Sequence, residues 1–302
     1  MKELLTNSFA ASHGGDPHTA HTRRLLEYSG LGCYGAALIA GNGEGLGQVI
    51  RVFPRIENAK LMELFRKGVE GQWSAAEIDW TQPLSLDRHE QRALAMVLTP
   101  IYLGEQTAMI GASSTIPQCF AAHETEAQLY LSTFLLDEAR HFETLTRFYN
   151  TLNQRPLEVR QLKDMFRYQA RLFKSRDRIE WLWGILLSDI LARHFYSILA
   201  KAHPTSLFAT IASRILRDEA RHLAFAELYL RAALEREPQF GPVFLKMRDE
   251  LLRLMESMYA ALKSEALLIG IDGQTLFGGV RRDIENKARR LHLSAAERPA
   301  EG

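Results

Sequence analysis

Cysteine is almost absent. Cys33 and Cys119 are the only two in 302 residues, far apart and in no metal-ligand spacing. That argues against thiolate metal sites and a disulfide framework, and it suits a reducing cytoplasm, the expected location. An excess of either charge is also missing. There are 37 basic and 36 acidic residues, a net charge of +1, so no electrostatic footprint for nucleic acid or an anionic membrane exists. Near the N-terminus the longest uncharged stretch, Tyr34 to Asn42, is too short to span a bilayer. The opening Met1-Lys2-Glu3-Leu4-Leu5 turns polar without the apolar core of a signal peptide. No segment keeps the two-residue alternation of a strand. With 46% hydrophobic residues, what remains is a helical protein with a sizeable core.

Three regions are expected. Residues 1–50 form a mixed, partly irregular extension. There His13, His18 and His21 sit among Gly, Asp, Pro and Thr, with no carboxylate or Cys to complete a site. Gly41, Gly43, Gly45 and Gly47 read as a loop, since no strand–turn–helix context makes them a phosphate cradle. Residues 51–270 read as long helices with short breaks: 56–69, 86–115, 121–152, 157–201 (in one or two segments), 205–236 and 243–268. Pro156, Pro204, Pro238 and Pro242 mark the breaks. Residues 271–302 are expected as a peripheral tail. The fold class is all-α, four long helices in a bundle with flanking helices.

The pentapeptide Asp-Glu-Ala-Arg-His occurs twice, at Asp137–His141 and Asp218–His222, each inside an apolar helical stretch. The i, i+3 spacing puts Glu138 with His141, and Glu219 with His222, on one face of each helix. Two divalent cations carry a charge of about +4, which four carboxylates and two neutral imidazoles balance. Two further acids are needed from the other two core helices. Glu105, in a stretch of apolar and small residues 33 positions before Glu138, supplies one; burying it unpaired would be costly. Asp189, within the apolar run Trp181–Ala192, is chosen for the other. Its rival Glu180 lies on the opposite helix face beside Arg176, Asp177 and Arg178. Small residues near Glu105 (Gly104, Ala108, Gly111, Ala112, Ser113) serve equally as pocket space or as close helix packing.

These residues resemble the ferritin-like di-iron carboxylate superfamily, in the branch of ribonucleotide reductase small subunits, their oxidase relatives and bacterial di-iron monooxygenases. Trp73-Ser74-Ala75-Ala76-Glu77-Ile78-Asp79-Trp80 is similar to the lead-in segment of the reductase subunits, and Glu126–Phe134 is similar to the oxidases. The resemblance implies metal ligands Glu105, Glu138, His141, Asp189, Glu219 and His222, with Glu138 or Glu219 bridging and shifting as the catalytic carboxylates. It implies that Asp137 orients His222 and Asp218 orients His141. The departures are specific. Leu145 stands where a classical small subunit has its radical tyrosine. Ala108 and Gly184 stand where the small-subunit-like oxidases carry a Val–Tyr cross-link.

By that resemblance the expected function is O2 activation at two Fe ions, or one Mn and one Fe. O2 is the co-substrate, and a C–H or N–H bond of a small organic molecule is oxidised. An external reductase or ferredoxin would supply electrons, and a homodimer is one expected assembly. The alternatives are a non-radical reductase-like subunit and a ferroxidase or other iron-handling protein.

Overall fold

The computed structural model describes residues 56, 58–158, 162–174 and 177–293. The readings of His13, His18, His21 and the Gly41–Gly47 stretch lie outside these residues. Among the described residues there are nine α-helices and no strand. They are α1 Ala59–Glu70, α2 Arg88–Ala121, α3 Thr125–Leu152, α4 Lys163–Lys174, α5 Arg178–Ala202, α6 Leu207–Arg236, α7 Gly241–Ala261, α8 Lys263–Leu268 and α9 Gly273–Arg290.

The helix starts are chemically defined. Asp87 accepts hydrogen bonds from the amides of His89 and Glu90 while the Glu90 carboxylate accepts one from the Asp87 amide, a reciprocal cap on α2. Asp177 caps α5 through the Ile179 amide, and Ser206 caps α6 through the Ala209 amide. Asn153, with φ 51°, stops α3 in the left-handed conformation that asparagine tolerates. One boundary differs from expectation. α2 does not end near Thr115 but carries Pro100 and Pro117 inside it and runs to Ala121. The turn to α3 is therefore only residues 122–124, with His123 at φ 58°.

Short turns make α2–α3 and α5–α6 antiparallel pairs, and the pairs pack α2 on α5 and α3 on α6. α1 lies across α3 and α6, while α4 and α7 cover the side where α2 meets α5. Among the described residues, α2 and α5 would pass for membrane-crossing helices by length and hydropathy. Here they are bundle helices with Glu105 and Asp189 buried along their lengths. Residues 271–293 are more than a peripheral tail. α9 buries Leu276, Val280 and Ile284 and packs on α5. Its strongly basic sequence hides this apolar edge.

The small residues of α2 divide between the two roles left open. Gly104 and Ala108 line a cavity, and no side chain approaches Gly104. Gly111 does the opposite: a Cβ there would collide with the indole nitrogen of Trp181. Gly111→Ala is accordingly expected to destabilise the fold by about 1–3 kcal/mol through overpacking. A urea titration showing no shift would remove that contact from the account.

Candidate metal centre

The six acids and histidines singled out in the sequence converge in the middle of the bundle. Glu105 comes from α2, Glu138 and His141 from α3, Asp189 from α5, and Glu219 and His222 from α6; all are buried. Ligand atoms of Glu105, Glu138, His141 and Glu219 lie within 4.8 Å of one another, and so do those of Asp189, Glu219 and His222. His141 Nδ1 is 3.4 Å from Glu105 Oε2 and 3.7 Å from Glu219 Oε1. His222 Nδ1 is 3.2 Å from Glu138 Oε1 and 3.6 Å from Glu219 Oε2. Glu138 and Glu219 thus sit between the two halves of the cluster. Glu180 is elsewhere, paired with Arg171 at 3.3 Å.

The far side of each imidazole meets an aspartate from the opposite pentapeptide. His141 Nε2 lies 3.2 Å from Asp218 Oδ2, and His222 Nε2 lies 3.3 Å from Asp137 Oδ2. A carboxylate there holds the proton on Nε2 and leaves the Nδ1 lone pair facing the cluster. Neither Nδ1 has a hydrogen-bond partner, nor do Glu219 Oε2 and Asp189 Oδ2, although all four are buried. Buried polar atoms left without partners are rare. Two imidazole lone pairs and four carboxylates aimed at one another are a donor set that fits a pair of hard or borderline cations.

The arginines of the repeat complete the arrangement. Arg140 bonds Asp137 at 2.6 Å and Asp218 at 2.9 Å; Arg221 bonds Asp137 at 2.8 Å and Asp218 at 2.9 Å. The result is a closed ring of two aspartates and two arginines, almost wholly out of solvent. Gln72 donates to Asp137 at 2.9 Å, the Trp73 indole donates to Asp218 at 2.7 Å, and the Arg140 guanidinium lies over the Trp73 ring. Sequence reasoning missed this ring. The i, i+3 pairs Asp137–Arg140 and Asp218–Arg221 were legible, but the cross-pairs depend on how α3 meets α6. It also missed Tyr196, whose hydroxyl donates to Glu105 Oε1 at 3.0 Å. Its placement two helical turns after Asp189, on the same face, was the available signal.

Charge crowding shows in the protonation equilibria. Burial, reinforced by the charge of Glu105, pushes the Glu138 carboxyl well up. Burial and Glu219 do the same to Asp189. Burial opposes protonation of His141, but Asp218 and Glu105 outweigh it and raise its pKa. Without cations the cluster balances its charge with protons. Cation uptake therefore displaces protons and is expected to tighten as pH rises. Calorimetry in buffers of different ionisation enthalpy reads the number released, and uptake without proton release would contradict this charge balance.

Beside the carboxylates lies an apolar cavity of about 100 Å³. Gly104, Ala108, Ile185 and Leu251 contribute to its wall, and Glu105, Glu138, Asp189 and Glu219 to its floor. The cluster is therefore open to a small molecule on the α2–α5 side and closed by the ion-pair ring on the other.

No family model matches the chain, and no curated relative does. Solved structures do. A single-substitution variant of an R2-like ligand-binding oxidase with an anaerobically reconstituted Mn/Fe cofactor is 20% identical, with a TM-score of 0.67 over 79% of this chain and 95% of that one. The R2-like ligand-binding oxidase with aerobically reconstituted metal cofactor after photoconversion is 19% identical, with a TM-score of 0.66 over 78% of this chain and 93% of that one. The chain is a helical bundle of the ferritin-like kind, built on the fold of the R2-like ligand-binding oxidases.

Proposed function

We propose that this chain is a di-metal oxidoreductase: an O2-dependent oxidase or oxygenase that acts on a C–H or N–H bond of a small organic substrate. The observation that carries this reading is the pair of buried, unpartnered imidazole lone pairs facing shared carboxylates at the floor of an apolar cavity. Glu105 and His141 would hold one cation, Asp189 and His222 the other, with Glu138 and Glu219 between them. Two Fe ions, or one Mn and one Fe, suit this donor set, and the structural neighbours carry Mn/Fe. Bound there, the metal pair would supply electrons to O2, replenished by an external reductase or ferredoxin.

The protein's own part is positional. Asp137 and Asp218 fix the histidine tautomers, and the Tyr196 hydroxyl holds Glu105. Apolar walls keep water from competing with the substrate beside the carboxylates. Those walls also favour an organic substrate over hydrated iron ions, whose route to a storage site must be polar. The test is O2 uptake and optical change after air is admitted to anaerobically iron-loaded protein. Transient absorption with O2 consumed in proportion to the loaded sites supports the reading. No O2 uptake by loaded protein, or continued uptake of hundreds of irons per assembly, defeats it.

A further inference from the structure

The cavity's lid is polar in one place only slightly exposed to solvent. Tyr168 and Gln169, adjacent on α4, both line the cavity and are 8% and 7% exposed. The Tyr168 hydroxyl makes no well-aligned hydrogen bond, although the Ser188 hydroxyl lies near it. Its neighbour Ser188 spends its own hydrogen on the Gly184 carbonyl, at 2.9 Å. Among the described residues Gln169 has no side-chain hydrogen bond, whereas Thr107 and Ser188, the cavity's two small hydroxyl residues, both bond to carbonyls of their own helices. The Tyr168 hydroxyl, left without a partner beside a void walled by hydrocarbon, lacks a hydrogen bond that a ligand can restore, and the Gln169 amide stands next to it on the same wall.

The direction of approach agrees. Tyr168 and Leu254 also line a second hollow, between α4 and α7, which contains Arg167, Arg171 and Arg253. The apolar cavity therefore adjoins, at Tyr168, a hollow lined by charged side chains of both signs, with Arg167 paired to Asp164 and Arg171 to Glu250. A molecule spanning the cavity would have one end at α4 and the other at the carboxylates of Glu105 and Asp189.

We propose that Tyr168 and Gln169 are the specificity-determining pair of this site: they read a hydrogen-bond-accepting head group on an otherwise apolar substrate. The Tyr168 hydroxyl and the Gln169 amide both donate to a carbonyl or carboxylate oxygen, and the apolar body lies along Ala108, Ile185 and Leu251. The reacting carbon or nitrogen is then the end remote from the head group. This last point rests on the proposed function above, while the recognition itself does not.

The test compares two probes of nearly equal shape, acetophenone and ethylbenzene, titrated calorimetrically into the full chain. Wild type, Tyr168→Phe and Gln169→Met are each measured, with metal content determined in parallel. Loss of one neutral hydrogen bond should lower the acetophenone-to-ethylbenzene affinity ratio about fivefold in each variant. Ethylbenzene affinity and metal content should stay at their wild-type values. An affinity ratio that survives both substitutions overturns the proposal, as does failure of either probe to bind wild type. Failure of the functional reading looks different, since iron-loaded wild type would then take up no O2 whatever its probe preference.

Discussion

Replacing His222 by alanine is expected to lower metal content from about two ions per chain to about one and to abolish O2-dependent turnover. Among the described residues His222 Nδ1 is the nitrogen donor grouped with Asp189 and Glu219, while His141 lies with Glu105, Glu138 and Glu219. A carboxylate pair alone holds a borderline cation poorly in competition with water. The substitution also leaves Asp137 without its imidazole, but Asp137 keeps Arg140, Arg221 and Gln72. The fold should therefore persist, and metal loss is readable by elemental analysis of soluble protein. His141→Ala should behave alike, with the remaining ion now beside Asp189. Two ions per chain in either variant would mean that the imidazoles are not ligands.

The second large effect concerns stability. Asp218→Ala is expected to destabilise the metal-free protein by about 3–5 kcal/mol, because it leaves buried charge without compensation. Asp218 accepts from Arg140, Arg221 and Trp73 and has no exposure at all. Its removal leaves two guanidinium groups sharing Asp137 and frees the Trp73 indole inside the bundle. Measuring the metal-free form separates this loss from any effect of ligation. The same variant should weaken metal binding about 10–100-fold, since His141 loses the group that orients it. A denaturation midpoint within error of wild type would show that the ring is not structural.

The ring also sets a pH dependence. His222 and Arg221 hold the Asp137 carboxyl down to about 2 despite burial. Interactions with His141, Trp73 and Arg221 push Asp218 still lower. Because both folded values lie below the unfolded value of about 4, their stabilisation is fully present above that pH. It is lost as pH falls through the folded values. Acid unfolding should therefore steepen below about pH 4, and much less in Asp218→Ala.

The repeat made most of the centre legible. Glu138, His141, Glu219 and His222 were fixed by i, i+3 spacing, and Glu105 and Asp189 by being acids in runs too apolar to face water. Helix pairing followed from the same pattern, because side chains from four helices converge only in a bundle. What stayed hidden depends on tertiary contacts. Arg140 and Arg221 look like the solvated face of a helix until α3 and α6 are brought together. Tyr168 and Gln169 look like ordinary helix residues until α4 is laid over the cavity. α9 carries too many charges for its Leu276, Val280 and Ile284 edge to stand out.

The most direct test of the central claim is anomalous diffraction from crystals of iron-loaded protein. Two iron peaks are expected, one against Glu105 and His141 and the other against Asp189 and His222, with Glu138 and Glu219 reaching both. A fully loaded crystal with no peak among these side chains would contradict the account.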